Sequence, residues 1–290
     1  MSPLPAPRHF SCADASGAAY DQGAHVTGWI PTGHAPVLWL SPSTALERGR
    51  PIRGGVPVCF PWFADGPAGG LEPKHGFART LPWHVQTLES SDHEAVVVYR
   101  ISDADVRDPA HRELFPHRFE AEYAVRFGAE LVLELSVTNT DDHAFDFEEA
   151  LHTYFAVGDV RHVRIQGLEG AAYRDKVTGQ ERCVQDGELT FDGETDRVYD
   201  STGEVAVVDE QLGRVLRIRK RGSGTTVVWN PWAQKAAELP DVGDGWTGFV
   251  CVEGANAHAD AVHLEPGQTH TMGYRVSVEA TAGGVGTPSA

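Results

Sequence analysis

RFEAEYAVRFGAELVLELSV (118–137) is the stretch whose reading decides the fold. In RFEAEYAVRF (118–127) and again in LVLELSV (131–137), apolar and polar residues alternate one for one. That is the period of a strand, which sends successive side chains to opposite faces. RFGAE (126–130) between the two runs carries turn chemistry, so the segment reads as a hairpin. Working outward, the same pattern recurs in AVVVYRI (95–101), VAVVD (205–209), RVLRIRK (214–220), TTVVWN (225–230), FVCVE (249–253) and HTMGYRVSV (270–278). Turn-formers such as TNTDDH (138–143), a polar stretch at 195–204 and LEPGQT (264–269) read as the connections between them. No segment carries an amphipathic helix longer than about three turns; DADVRDPAHREL (103–114) contains a proline and lacks an apolar stripe. With many strands and no βα alternation, the expected architecture is an all-β, two-layer antiparallel sandwich.

The 290 residues are 41% hydrophobic and 22% charged, an ordinary globular balance. No linker-like stretch divides them, so residues 10–279 are expected to form one domain. Residues 1–9 and 280–290, rich in small residues, Gly and Pro, are expected to fray. The N-terminus lacks the apolar run of a secretory signal, and no apolar run of membrane-spanning length occurs. Cys12, Cys59, Cys183 and Cys251 are scattered and form no CxxC, which points to reduced thiols and a cytoplasmic protein. A formal net charge of −17 repels nucleic acid and anionic membranes. Any anionic ligand then requires a local basic cluster, and LEPKHGFART (71–80) supplies one with Lys74, His75 and Arg79.

Several motifs compete for the chemistry. VGDGWTG (242–248) holds a formal GxGxxG, but it follows LPDV and leads into a strand, whereas a dinucleotide loop follows a strand and opens a helix. It reads as a loop. His258 and His263 match no metal-ligand spacing, and no metal is assigned. His152 sits in the apolar run FEEALHTYFAV, where it is either a core histidine, with Glu148 or Glu149 as partners, or a catalytic group. Glu253 ends the strand FVCVE; it is an exposed edge residue or a functional carboxylate. In RGGVPVCFPWF (53–63), Arg53 precedes two glycines that let backbone approach a ligand, and Trp62 and Phe63 follow. A structural loop is the competing account.

In order, PIRGGVPVCFPWF, KHGFAR with TLPW, EEALHTYFAVGD, DRVY, VVWNPW and FVCVEGAN resemble the hexose-6-phosphate mutarotases, or glucose-6-phosphate 1-epimerases, of the aldose 1-epimerase superfamily. The resemblance spans roughly residues 20 to 278. It implies a large β-sandwich of the galactose-mutarotase type and a monomeric, cofactor-free enzyme that interconverts the anomers of a hexose 6-phosphate. By matching motif it implies His152 as general acid toward the ring oxygen and Glu253 as general base at the anomeric hydroxyl. His75 would bind near the ring oxygen, Asp196 would hold a sugar hydroxyl, and Arg53 and Arg79 would bind the phosphate. Lys74 matches no family role. An epimerase of unphosphorylated sugar and a non-catalytic sugar-phosphate-binding sandwich are the competing functions.

Overall fold

The computed structural model describes residues 2–281. All eight strands expected from alternation form. The deciding hairpin pairs Phe119–Phe127 with Leu131–Asn139, antiparallel and in unbroken register from Phe119↔Asn139 to Phe127↔Leu131. Its alternation is complete: Phe119, Ala121, Tyr123, Val125, Phe127, Leu131, Leu133, Leu135 and Val137 are buried, and the residues that alternate with them within the two strands are not.

That hairpin lies within a nine-stranded antiparallel sheet running from Leu189–Thr190 at one edge to His84–Ser90 at the other. A second sheet of eight strands faces it. Its order is Gln180–Val184, Ala172–Asp175, Thr195–Asp200, Thr225–Asn230, Phe249–Asn256, Glu149–Leu151 and Val58–Cys59, with Tyr154–Ala156 also paired to Phe249–Asn256. Leu131, Leu133, Leu135 and Met272 of the first sheet share one apolar cluster with Leu151, Val228, Val250 and Val252 of the second. Burying each such side chain contributes about 1.5–3 kcal/mol, which holds the two layers together. Because side chains alternate, the outer face of the second sheet carries a different set, with Cys59, Ala150, Val198, Val227 and Ala255 in a separate small cluster. Glu253 is on that outer face.

Helix is confined to short pieces. Pro109–Leu114 forms because Asp108 caps it, accepting from Ala110 N–H at 2.9 Å, and Pro109 fits the first turn. Trp232–Ala237 is equally short. Among the described residues no helix is long and apolar enough to cross a membrane.

Two local expectations need correction. The polar stretch 195–204, read as a connection, is strand at Thr195–Asp200, held between Ala172–Asp175 and Thr225–Asn230 in the second sheet. Its two consecutive buried residues, Val198 and Tyr199, have apolar surroundings on both faces, so no alternation marks it. The N-terminal segment, expected to fray, is tied down in its described part. Leu4 N–H donates to Leu46 O at 2.9 Å, Arg48 N–H to Ser2 O at 3.0 Å, and Arg8 grips Asp21 through two bonds of 2.6 and 2.8 Å. Small-residue composition does not report such distant partners. At the other end the strand Thr269–Ala280 reaches Ala280, and the rest of the expected tail, from 282, lies outside the described residues.

Candidate active site

Two strand segments pair with Phe249–Asn256 in one continuous register, Leu151↔Gly254 before a break and Tyr154↔Cys251 after it. That register puts His152 directly opposite Glu253, although 101 residues separate them in sequence (253 − 152). Directly opposed residues have Cβ atoms about 4.5–5.5 Å apart, and the side chains close the rest: His152 Nδ1 lies 3.3 Å from Glu253 Oε1. His152 is 7% exposed and Glu253 1%. Burial pushes the Glu253 carboxyl well above the usual carboxylate range, and Asp196 raises it further. Burial likewise pushes His152 well below its ordinary 6.5, and the charges of Arg53 and Arg79 act in the same sense. Burial thus favours the uncharged form of each group. Among the described residues, His152 Nδ1 and Glu253 Oε2 have no hydrogen-bond partner. Tyr154 stacks on the imidazole at 4.9 Å and 9°, and Trp229 meets it edge-on at 5.9 Å, so the ring is clamped.

The basic stretch around Lys74 folds over the same place. His75 adopts φ +65°, and its N–H donates to Ala64 O at 2.5 Å. The following Gly76 has φ +72°, and a Cβ there would fall 2.0 Å from Phe60 O, so only glycine allows this crossing. Ala64 N–H donates to His75 Nδ1 at 3.3 Å. A backbone N–H can only donate, so Nδ1 is the acceptor and the ring proton sits on Nε2. Burial keeps His75 neutral, well below its ordinary 6.5, with Arg79 adding to the effect. Arg79 donates to Lys74 O, and its Nε–H is buried without a partner. Burial lowers its guanidinium below the ordinary arginine value.

Arg53 is held from two sides: its Nη1 donates to the Tyr154 hydroxyl at 2.9 Å and its Nε to Asp241 Oδ2 at 2.9 Å. Tyr154 and Asp241 both favour its charged form and raise it. Asp196 faces the Lys176 ammonium at 3.3 Å, each about a quarter to a third exposed. Burial raises the Asp196 carboxyl and Lys176 opposes that.

All six residues assigned from sequence, Arg53, His75, Arg79, His152, Asp196 and Glu253, line one cavity of about 390 Å³, within the range of small-molecule sites. Lys74 lines it too, as does Phe63, one of the two aromatics following Arg53, and so do Lys176, Lys235 and Trp229, which the sequence left without a site role. Five basic side chains thus meet three acidic ones there, in a chain of net charge −17. A larger groove of about 810 Å³ runs along the same sheet past Arg174, Asp200 and Asp260, but it contains neither His152 nor Glu253.

Other readings change. Glu148 and Glu149 are not partners of His152. Glu148 accepts from Phe63 N–H at 3.0 Å and His258 N–H at 2.7 Å, tying two cavity loops together. Glu149 points between the sheets, accepting from Asn256 at 2.9 Å beside His270 Nε2 at 3.2 Å. The glycines after Arg53 admit backbone rather than ligand: a Cβ on Gly55 would fall 2.2 Å from Val26 O. Trp62 is structural, donating to Pro73 O at 3.0 Å, whereas Phe63 reaches the cavity. The GxGxxG segment is a 3-10 turn, Gly243–Gly248, running straight into Phe249–Asn256.

What this arrangement can do is move protons at two neighbouring atoms of one small polar molecule, on a broad antiparallel sandwich. The chain belongs to the aldose 1-epimerase family, which its residues 13–277 match, and it is an enzyme of that family. It is 37% identical over 240 residues, 81% of this chain and 78% of the relative, to a protein of Escherichia coli (strain K12) provisionally named glucose-6-phosphate 1-epimerase. A Cenchrus ciliaris protein of the same provisional name is 34% identical, over 86% of this chain and 77% of its own. Among solved structures, a provisionally assigned mutarotase from Salmonella typhimurium superposes with a TM-score of 0.85 at 29% identity, covering 96% of this chain and 97% of that one. A galactose mutarotase related enzyme from Lactobacillus acidophilus shares the fold at TM-score 0.74 and 14% identity, over 97% and 100% of the two chains.

Proposed function

We propose that the protein interconverts the α and β anomers of a hexose 6-phosphate, glucose 6-phosphate first among them, by acid–base opening and reclosure of the ring. The observation that carries the substrate class is the basic surround of the cavity, Arg53, Lys74 and Arg79, in a strongly acidic chain. The relatives whose names specify glucose 6-phosphate support it.

Ring opening removes the proton of the C1 hydroxyl and protonates the ring oxygen. Glu253 takes the first as carboxylate and His152 supplies the second as imidazolium. A carboxylic acid beside a neutral imidazole, the forms burial favours, holds the same two protons as a carboxylate beside an imidazolium. One transfer across the 3.3 Å between Oε1 and Nδ1 converts one into the other. A bound phosphate offsets the charges of Arg53 and Arg79 that depress His152, and so favours the imidazolium when substrate is present. After ring opening the pair is again neutral, the arrangement burial prefers. Rotation about C1–C2 and reclosure on the other face reverse both transfers. His75, with its proton on Nε2, donates toward the ring oxygen, and Asp196 accepts from a ring hydroxyl.

The reading extends to a cytoplasmic monomer: Cys12, Cys59, Cys183 and Cys251 are all free, as a reducing compartment keeps them. The test is anomeric proton exchange of glucose 6-phosphate by NMR against glucose and buffer. Acceleration of the phosphosugar well above free glucose is expected; equal acceleration would favour the unphosphorylated-sugar reading, and none would remove the catalytic one.

A further inference from the structure

Lys176 belongs to none of the motifs that carry the family resemblance, yet it lines the cavity. Its position is built by the sheet. Asp175 pairs with Arg197, and one step further along that register Lys176 N–H donates to Asp196 O at 2.9 Å. The turn beyond is fixed by Asp175 Oδ1, which accepts from Val177 N–H and Thr178 N–H at 3.0 Å each. The ammonium then sits 3.3 Å from Asp196 Oδ2 and 5.8 Å from the centre of the Phe63 ring. A cation and an anion are thus presented side by side, each with open valences: the ammonium has three N–H donors and the carboxylate several acceptor sites.

Strand order says which part of a bound sugar they would meet. From Ala172–Asp175 the sheet runs through Thr195–Asp200 and Thr225–Asn230 to the Glu253 strand, three spacings of about 4.8 Å. Arg53 lies on the other side of the catalytic pair, bonded to Tyr154 on the segment beyond it. The arginines and the Lys176–Asp196 pair therefore flank Glu253 and His152 from opposite sides.

We propose that Lys176 is a substrate-binding residue, its ammonium donating to one ring hydroxyl while Asp196 accepts from the neighbouring one, so that the pair grips the side of the hexose remote from the phosphate. This rests on the mutarotase reading above. The pair matches a vicinal diol, which offers one donor and one acceptor at adjacent oxygens. Lys176 is then indifferent to the phosphate, unlike Arg53, Lys74 and Arg79.

The test compares wild type, Lys176→Met, Lys176→Arg, Asp196→Ala and the Met/Ala double variant, reading anomer exchange and calorimetric binding of glucose 6-phosphate and of glucose. Thermal melts check that each variant folds. Lys176→Met is expected to raise KM and Kd by roughly tenfold or more for both sugars, as for a lost hydrogen bond to a charged group, with kcat changed less. Lys176→Arg is expected to restore part of the binding. In the Asp196→Ala background Lys176→Met is expected to weaken binding further; no further loss would mean that Lys176 only holds Asp196, and would overturn the proposal. A loss confined to the phosphosugar would make Lys176 a phosphate ligand and also overturn it. If wild type binds the phosphosugar without accelerating exchange, the mutarotase reading fails while the binding arm still decides Lys176. If wild type binds neither sugar, both fall.

Discussion

Replacing Arg79 by alanine tests the phosphate assignment most directly. Arginine has five N–H donors; Arg79 spends one on Lys74 O, and its buried Nε–H has no partner among the described residues. An unpaired buried donor next to a cavity is a group waiting for an acceptor. Two hydrogen bonds to a phosphate, at about 1.5–3 kcal/mol each, would together contribute about 3–6 kcal/mol. Water entering the space left by alanine recovers part of that, leaving a loss of about 2–4 kcal/mol. At 1.36 kcal/mol per decade, kcat/KM for glucose 6-phosphate should fall by about 30- to 900-fold. Free glucose cannot use the arginine, so its exchange rate should stay within about a factor of two, the tolerance for a site not in contact. Arg79→Lys keeps a charge but not the planar fork, and should fall between. The assay is anomeric exchange by NMR at subsaturating sugar, with the two substrates run in parallel. Equal losses on both sugars would refute the reasoning, because the side chain would then be supporting the catalytic pair or the loop rather than the phosphate.

His152→Ala and Glu253→Gln should each slow exchange of both sugars by about 10²–10⁴-fold while glucose 6-phosphate still binds; exchange retained within tenfold in either variant would remove that residue from the proton transfers. Tyr154→Phe deletes the acceptor of the 2.9 Å bond from Arg53. It should raise KM for the phosphosugar by about two- to tenfold, and an unchanged KM would mean that Asp241 alone positions Arg53. The pair of buried Glu149 and half-buried His270 should make stability pH-dependent. Its hydrogen bond to Glu149 raises His270 above its ordinary 6.5, so the contribution is complete below pH 6.5 and is lost as pH rises through the raised value. Burial raises Glu149 above its ordinary 4.5, which also penalises higher pH. Melting temperature should therefore decline from below neutrality upward in wild type and decline less in Glu149→Gln; parallel slopes would refute the linkage.

The sandwich was legible because its inter-sheet strands are one-sided. Alternation in Phe119–Phe127 and Leu131–Asn139 reports directly which residues face the core. Strands covered on both faces send no such signal, and Thr195–Asp200 was missed for that reason. The site residues were found through ordered motifs rather than through local pattern. His152 alone reads equally well as a core histidine, and it is indeed buried to 7% exposure. What brings it to the cavity, the register that sets it opposite Glu253, depends on two strands pairing across a hundred residues, which no window of sequence contains. Glu148, Lys176 and Tyr154 were missed because their roles are relational. Glu148 accepts from Phe63 and His258 N–H, Lys176 faces Asp196, and Tyr154 receives Arg53.

The distribution of charge around the catalytic pair also bears on how the substrate enters. On one side lie Arg53, Arg79 and Lys74, whose positive charge is only partly offset, by Asp241 against Arg53. On the other, Lys176 is matched by Asp196 at 3.3 Å, with Asp65 on the same cavity wall. A hexose phosphate turned end for end would push its phosphate against Asp196 and Asp65 and leave the buried Arg79 Nε–H unanswered. Like-charge contact and an unsatisfied donor both cost more than the correct orientation, so the layout selects one direction of binding. On the hexose 6-phosphate reading, a phosphate held at the arginines would turn C6, and through C5 the ring oxygen, toward His152, and C1 toward Glu253. The arginines would then also set which oxygen meets the acid and which meets the base. Arg79→Ala should accordingly lower kcat as well as raise KM for the phosphosugar, because part of the bound population is then reversed and unproductive.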